Sequence, residues 1–295
     1  MRTFAYIRPA TVDDASSALA PQDARAMGGG TDLLTQQDRG IMTAGSVVDL
    51  RGLGLSGIED SGNGLRIGAT ATLADIGRHP AVGERFTALA EAIAQAASPQ
   101  LREMGTLGGN LCQQVRCWYF RHPDLVCWLK GGDTCYAQIG DHRKHGLEPG
   151  DCISVAPSDL AAALIALDAT VETSRRAEGI PLIDLYRRPT EDNRSNLTLD
   201  DGEFVTAVTI PRAPDASAYE RGGERHAWSF ALAGVAAARS GDEVRLAAIG
   251  VANVPRLLDP ADPLAGLPGL EQTGWKRRLL TGLAELAIER VTAPA

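Results

Sequence analysis

The stretch ARAMGGGTDLL, residues 24–34, decides how the N-terminal part of this chain is read. A short apolar run ends in three consecutive glycines, and the next residues can open a helix. Glycines let the backbone turn tightly and bring amide groups close to an anion. Thr31 adds a hydroxyl, and Asp32 stands where a helix cap is expected. The G-x-G-x-x-G spacing of the usual dinucleotide fingerprint is absent, so on this loop alone an ordinary glycine turn into a helix is an equal reading. Around it, FAYI, DDASSALA, ARAM and SVVDLRGL predict a β-α-β arrangement over residues 1–55.

A second glycine loop, GTLGGN at 105–110, has the same ingredients: close-approach glycines, the Thr106 hydroxyl and the Asn110 amide. Two such loops suit a diphosphate-bridged dinucleotide. Between them lie a strand pair and turn at 55–77 and a helix over 83–98, with Phe86, Leu89, Ala90, Ile93 and Ala97 at helical spacing. After them, SDLAAALIALDATVET predicts a helix capped by Ser158 or Asp159 and then a strand. The remainder, FVTAVTIP, a helix-like WSFALAGVAAARS and VRLAAIGVANVPRLL, suggests an antiparallel sheet packed with helices. The fold class is therefore α+β. Two domains are expected, 1–176 and 177–295, divided at the charged SRRAEG segment.

Four of the five cysteines, Cys117, Cys127, Cys135 and Cys152, fall in one loop inserted at about 112–155, with Cys112 just upstream. The spacing C-x9-C-x7-C-x16-C matches no compact zinc-ribbon or ferredoxin pattern. Four thiolates on one flexible insertion can nevertheless close around an iron-sulfur cubane, and they would equally make a closed zinc site. His142 and His145 lie in the same loop and are read as polar loop residues without a ligand role. Trp118, Tyr119, Phe120 and Trp128 form an aromatic concentration that either shields a cofactor, meets a subunit or packs a local core.

The chain has 295 residues, 44% of them hydrophobic, and a net charge of -8. That charge argues against nucleic acid or an anionic membrane as the main partner. The N-terminus lacks an apolar signal core and no stretch is long enough to span a bilayer, so the chain reads as cytoplasmic. A partner with its own export signal would carry it to the periplasm. The acidic groups Asp13, Asp14, Asp200, Asp201 and Glu203 read as solvated surface, and no acid-base couple or nucleophilic triad stands out.

In order and spacing, the GGGTDLL loop, GATATLADI, PQLREMGTLGGN and PSDLAAALIALDA resemble the FAD-binding subunit of the molybdenum hydroxylases, over nearly the whole chain. The resemblance implies a two-lobed FAD-binding domain followed by a small C-terminal α/β domain. It places FAD on Met27, Gly28, Gly29, Gly30, Thr31, Asp32 and Leu33, on Thr106, Gly109 and Asn110, and near Asp159, Leu199 and Arg221. The chain departs from the common pattern at Gly28, where relatives often carry Ala, and at Glu103, where they often carry Asn.

The segments RCWYFR, VCWLKGG, TCYA and DCIS are similar to the extra loop of a subgroup that includes 4-hydroxybenzoyl-CoA reductase and periplasmic aldehyde oxidoreductase medium subunits. There the loop carries a 4Fe-4S cluster, which implies Cys117, Cys127, Cys135 and Cys152 as ligands and leaves Cys112 as a buried small residue. The implied partners are a molybdopterin-binding large subunit, a 2Fe-2S small subunit and an external electron acceptor. A zinc-stabilised flavoprotein and a stand-alone flavin oxidoreductase are the competing readings.

Overall fold

The computed structural model describes residues 3–225 and 228–293. The N-terminal lobe is β1 (Ala5–Ile7), α1 (Val12–Leu19), β2 (Ala24–Met27), α2 (Leu33–Asp38) and β3 (Ser46–Asp49). Its three strands form a parallel sheet in the order β1-β3-β2. Thr11 caps α1 by accepting the Asp14 amide, so Asp13 and Asp14 sit in the first turn of a helix, where negative charge is favourable. The glycine loop follows β2 directly, and Gly30 holds a left-handed φ of 73° that a side chain would disfavour.

The second lobe begins with the hairpin β4 (Ile58–Asp60) and β5 (Leu65–Gly68). Four short helices follow: α3 (Leu73–Arg78), α4 (Pro80–Arg85), α5 (Thr87–Gln95) and α6 (Pro99–Arg102). The helix expected over 83–98 is interrupted at Phe86, whose backbone leaves the helical region, and Ser98 caps α6 rather than only ending α5. Helix α7 (Leu107–Leu111) carries the second glycine loop, and α8 (Tyr136–Ile139) is a single turn within the cysteine loop. Ser158 caps α9 (Asp159–Ala166), every residue of which is buried.

Strands β6 (Thr170–Thr173), β7 (Ile180–Pro181) and β8 (Val205–Ile210) complete a five-stranded sheet in the order β4-β5-β8-β6-β7. The boundary expected at 176 runs through this sheet. SRRAEG is the turn between β6 and β7, and β8, beyond it, hydrogen-bonds to β5 and β6 on either side. A charged turn within a hairpin and a charged linker between domains look alike in sequence.

The C-terminal part is an antiparallel sheet, β12-β11-β10-β9, built from β9 (Ala216–Gly223), β10 (Ala231–Ser240), β11 (Glu243–Ile249) and β12 (Arg256–Leu258), with α10 (Gly274–Thr292) packed against it. The helix expected over WSFALAGVAAARS, residues 228–240, is strand β10 instead from Ala231 onward, with 228–230 in the irregular connection before it. Its Ala233, Val235 and Ala237 join the core under α10, while Ala236 and Ala238 join the core around α5 and α9. With both faces covered, the strand keeps no polar alternation, and its alanines favour helix intrinsically; tertiary burial overrides both signals. Among the described residues, no helix is long and apolar enough to cross a membrane.

Candidate functional site

The two glycine loops meet. Gly105 O accepts the Leu73 amide, while the Leu107 and Gly108 amides donate to Ala71 O and Ala69 O, so GATATL and GTLGGN form one backbone-bonded platform. The first loop packs onto it. A Cβ on Gly28 would lie 2.2 Å from Thr106 Oγ1, and one on Gly29 would lie 1.7 Å from Met104 O. These glycines are needed for loop-to-loop contact as much as for approach to a ligand.

Beside this junction lies a cleft of about 530 Å³, within the range of small-molecule and cofactor sites. It is lined by Met27 through Leu33, Thr106, Gly109, Asn110, Asp159 and Leu199. Twelve of the thirteen expected cofactor residues therefore converge. The exception is Arg221, which stands behind the wall, donating from Nε to Asp159 Oδ1 at 2.9 Å. Tyr219 OH donates to the same oxygen at 2.5 Å. Burial raises the Asp159 carboxyl pKa even against these partners. Thr106 caps α7 through the Gly109 amide, and Asn110 Oδ1 accepts from Ser158 Oγ at 2.7 Å, which engages the amide's acceptor and not its donor.

Asp32 does not cap α2; its side chain makes no capping bond. Its carboxylate instead accepts from Gln36 Nε2 at 3.0 Å, from the Gln114 amide at 3.1 Å, from Arg116 at 2.6 Å and from Arg121 at 2.9 Å. Burial opposes its ionisation, but the two guanidiniums outweigh that and hold its carboxyl below the usual range. The end of the first glycine loop is thus tied to the start of the cysteine loop.

The cysteine loop has little regular structure and is held from outside. Lys276 of α10 is fully buried and donates to the carbonyls of Lys144, His145 and Gly250; burial pushes its ammonium down to about 7. Gln272 bonds the His142 amide, Glu148 pairs with Arg188 and Arg256, and Trp128 Nε1 donates to Glu191. Both loop histidines are buried rather than surface groups. His145 Nε2 lies 3.1 Å from Cys117 Sγ, with the Trp118 ring edge-on at 4.9 Å, and burial lowers its pKa to about 4.

Among the described residues, no three His, Cys, Asp or Glu side chains converge as a metal site. The four thiols are neighbours in a looser sense. Cys117 feels Cys127 and Cys135, while burial is what mainly pushes it up, to about 11. The hydrogen bond with Cys152 pulls the Cys135 thiol down. Cys112 is part of the cleft wall, where burial raises it to about 12, in keeping with a packed small residue.

Residues 2–213 match the family described as the FAD binding domain in molybdopterin dehydrogenase. The chain belongs to that family. As an FAD-binding oxidoreductase subunit it is 36% identical over 273 residues to the aldehyde oxidoreductase FAD-binding subunit PaoB of Escherichia coli (strain K12), covering 89% of this chain and 86% of that one. It is 29% identical over 310 residues to the carbon monoxide dehydrogenase medium chain of Afipia carboxidovorans, covering 99% and 88%. Among solved structures, carbon monoxide dehydrogenase from Hydrogenophaga pseudoflava superposes with a TM-score of 0.74 at 20% identity over 98% of this chain and 97% of that one, which establishes the shared fold.

Several residues of this FAD-binding subunit's cleft escape sequence reasoning. Gln113, Gln114 and Arg116 line it from the cysteine loop, and Trp228 and Phe230 line it from the β9–β10 connection. Glu203 lines it too and is buried, not solvated: burial opposes its charge, but the Asp200 amide, Thr173 and Arg176 outweigh this and hold its carboxyl low. Its only sequence signal was the apolar FVTAV run beginning at the next residue.

Proposed function

We propose that this FAD-binding subunit is the FAD- and 4Fe-4S-carrying electron-transfer chain of a heterotrimeric molybdenum hydroxylase. In this reading a substrate is oxidised at a molybdopterin cofactor on a large subunit, electrons pass through 2Fe-2S clusters on a small subunit, and this chain delivers them to an external acceptor. The observation that carries it is the docking of a four-cysteine loop against the wall of the dinucleotide cleft through Asp32. Flavin, when bound, supplies the capacity to accept and release electrons singly or in pairs.

The chain's own residues hold and shield it. Amides of the Gly28–Gly30 loop and the capped start of α7 would face the diphosphate; Asp159, fixed by Tyr219 and Arg221, would present a rigid carboxyl to a polar edge. Cys117, Cys127, Cys135 and Cys152 would ligate the cluster, with His145 beside Cys117. The donor set fits: four thiols on one loop, each near another, need only close inward. We place the division between the flavin-binding part and the C-terminal sheet near residue 213, where the family match ends.

Anaerobic purification with the neighbouring subunits, followed by a count of FAD, iron and acid-labile sulfide on this chain, tests the reading. One FAD with about four irons supports it. FAD with one zinc and no iron would make the loop a zinc staple, and a chain with neither cofactor would overturn the assignment.

A further inference from the structure

Asp32 has the wrong sign for its place. It closes the loop assigned to a diphosphate, and a carboxylate there would repel the ligand. Two arginines of the cysteine loop converge on it, Arg116 at 2.6 Å and Arg121 at 2.9 Å, all three side chains being largely shielded from solvent. One carboxylate against two guanidiniums leaves one net positive charge. On the same wall, Asp159 and Glu203 are paired with Arg221 and Arg176, so the Asp32 trio differs in its surplus.

Arg116 is also the member that reaches the ligand space. It lines the cleft, its guanidinium lies 4.2 Å over the Phe230 ring, and Gln113 Oε1 accepts from it at 2.6 Å. These contacts fix its plane. Its Nε is buried away from solvent with no hydrogen-bond partner among the described residues, so what this side chain offers the cleft it lines is its charge. Arg121 is turned the other way: it donates to Val115 O and Gln114 O and so braces the strap that carries Arg116.

We propose that the cysteine loop completes the flavin site electrostatically: Arg121 neutralises Asp32, and Arg116 contributes a fixed positive charge toward the diphosphate of FAD. The inference rests on the assignment of the diphosphate to the Gly28–Gly30 loop. It makes the loop a functional wall of the flavin cleft independently of any metal it holds.

The test uses the full chain in its complex, reversibly stripped of flavin, with FAD as titrant at several salt concentrations. Arg116→Gln should raise the FAD dissociation constant by about tenfold, the scale of a lost charge interaction in a shielded site. It should also flatten the salt dependence, because the lost interaction is a charge pair. Arg116→Lys, which keeps the charge, should retain most of the affinity. Asp32→Asn added to Arg116→Gln restores the net charge and should recover a large part of the loss.

FAD binding unchanged in Arg116→Gln overturns the proposal. So does a loss that keeps the parent salt dependence and is recovered by neither Arg116→Lys nor Asp32→Asn, since that describes a structural defect. A parent complex that takes up no FAD would instead overturn the assignment of the cleft itself, and this inference with it.

Discussion

The flavin cleft and the cysteine loop adjoin each other but are built on opposite plans. The cleft is made by backbone: strand ends, helix starts and glycines packed so closely that a Cβ on Gly28 or Gly29 has no room. The loop is made by side chains: Asp32, Arg188, Glu191, Arg256, Gln272 and Lys276 hold it from four other parts of the chain. Backbone sites are formed before the ligand arrives, whereas a loop pinned by side chains can still adjust around one. In the loop the thiols are neighbours, yet among the described residues no three His, Cys, Asp or Glu side chains converge.

The most direct way to break the comparison is Gly29→Val. Its side chain must displace the Met104 carbonyl, so the variant should lose stoichiometric FAD and about 3 kcal/mol of stability, the upper end of the usual cost of overpacking. Flavin absorbance and a denaturant midpoint read this, and a variant that keeps both would remove the backbone argument. The matching test of the loop is Cys135→Ser, which should abolish bound iron while most FAD remains, measured by metal and flavin analysis on the same sample. Unchanged iron would refute the ligand assignment.

Lys276→Met asks whether the loop depends on its side-chain pins. Three carbonyls lose their donor, and an expected cost of about 2–3 kcal/mol should appear as earlier unfolding in urea. The pH profile sharpens it. With its folded pKa lowered to about 7, the lysine binds a proton more readily in the unfolded chain, so it makes stability rise with pH from about 7 toward its ordinary value of 10.5. Lys276→Met should lack that rise; parallel profiles would show that the ammonium is not perturbed. The smallest effect belongs to Tyr219→Phe, which removes one hydrogen bond to Asp159 while Arg221 remains, at about 1 kcal/mol. Its calorimetric melt should shift by a few degrees with FAD retained, and loss of FAD would give Asp159 a larger part in the cleft.

What the sequence disclosed follows the same division. The glycine loops, the capped helix at Ser158 and the β-α-β start were legible because they rest on local chemistry: turns, caps and periodicity. Arg116 was not, although it neighbours Cys117, because its role depends on Asp32, 84 positions away. Glu203 was misread as surface since its three partners come from the end of β6, the β6–β7 turn and its own loop. Strand β10 was misread because burial on two faces erases the alternation that marks a strand. The sequence resemblance reached the family and twelve cleft residues, but it could not separate Arg221, which supports a wall residue, from those that line the wall.

The position of β8 has a bearing on how the molecule is made. Being the middle strand of the five-stranded sheet and the last of the five in sequence, it leaves β5 and β6 as two open edges while a ribosome is still short of residue 205. Until Val205–Ile210 emerges, the nascent lobe exposes unpaired strands, which is the condition under which chains aggregate or recruit chaperones. A truncation at 176 would freeze the protein in that state, so fragments meant to fold alone should extend beyond Ile210.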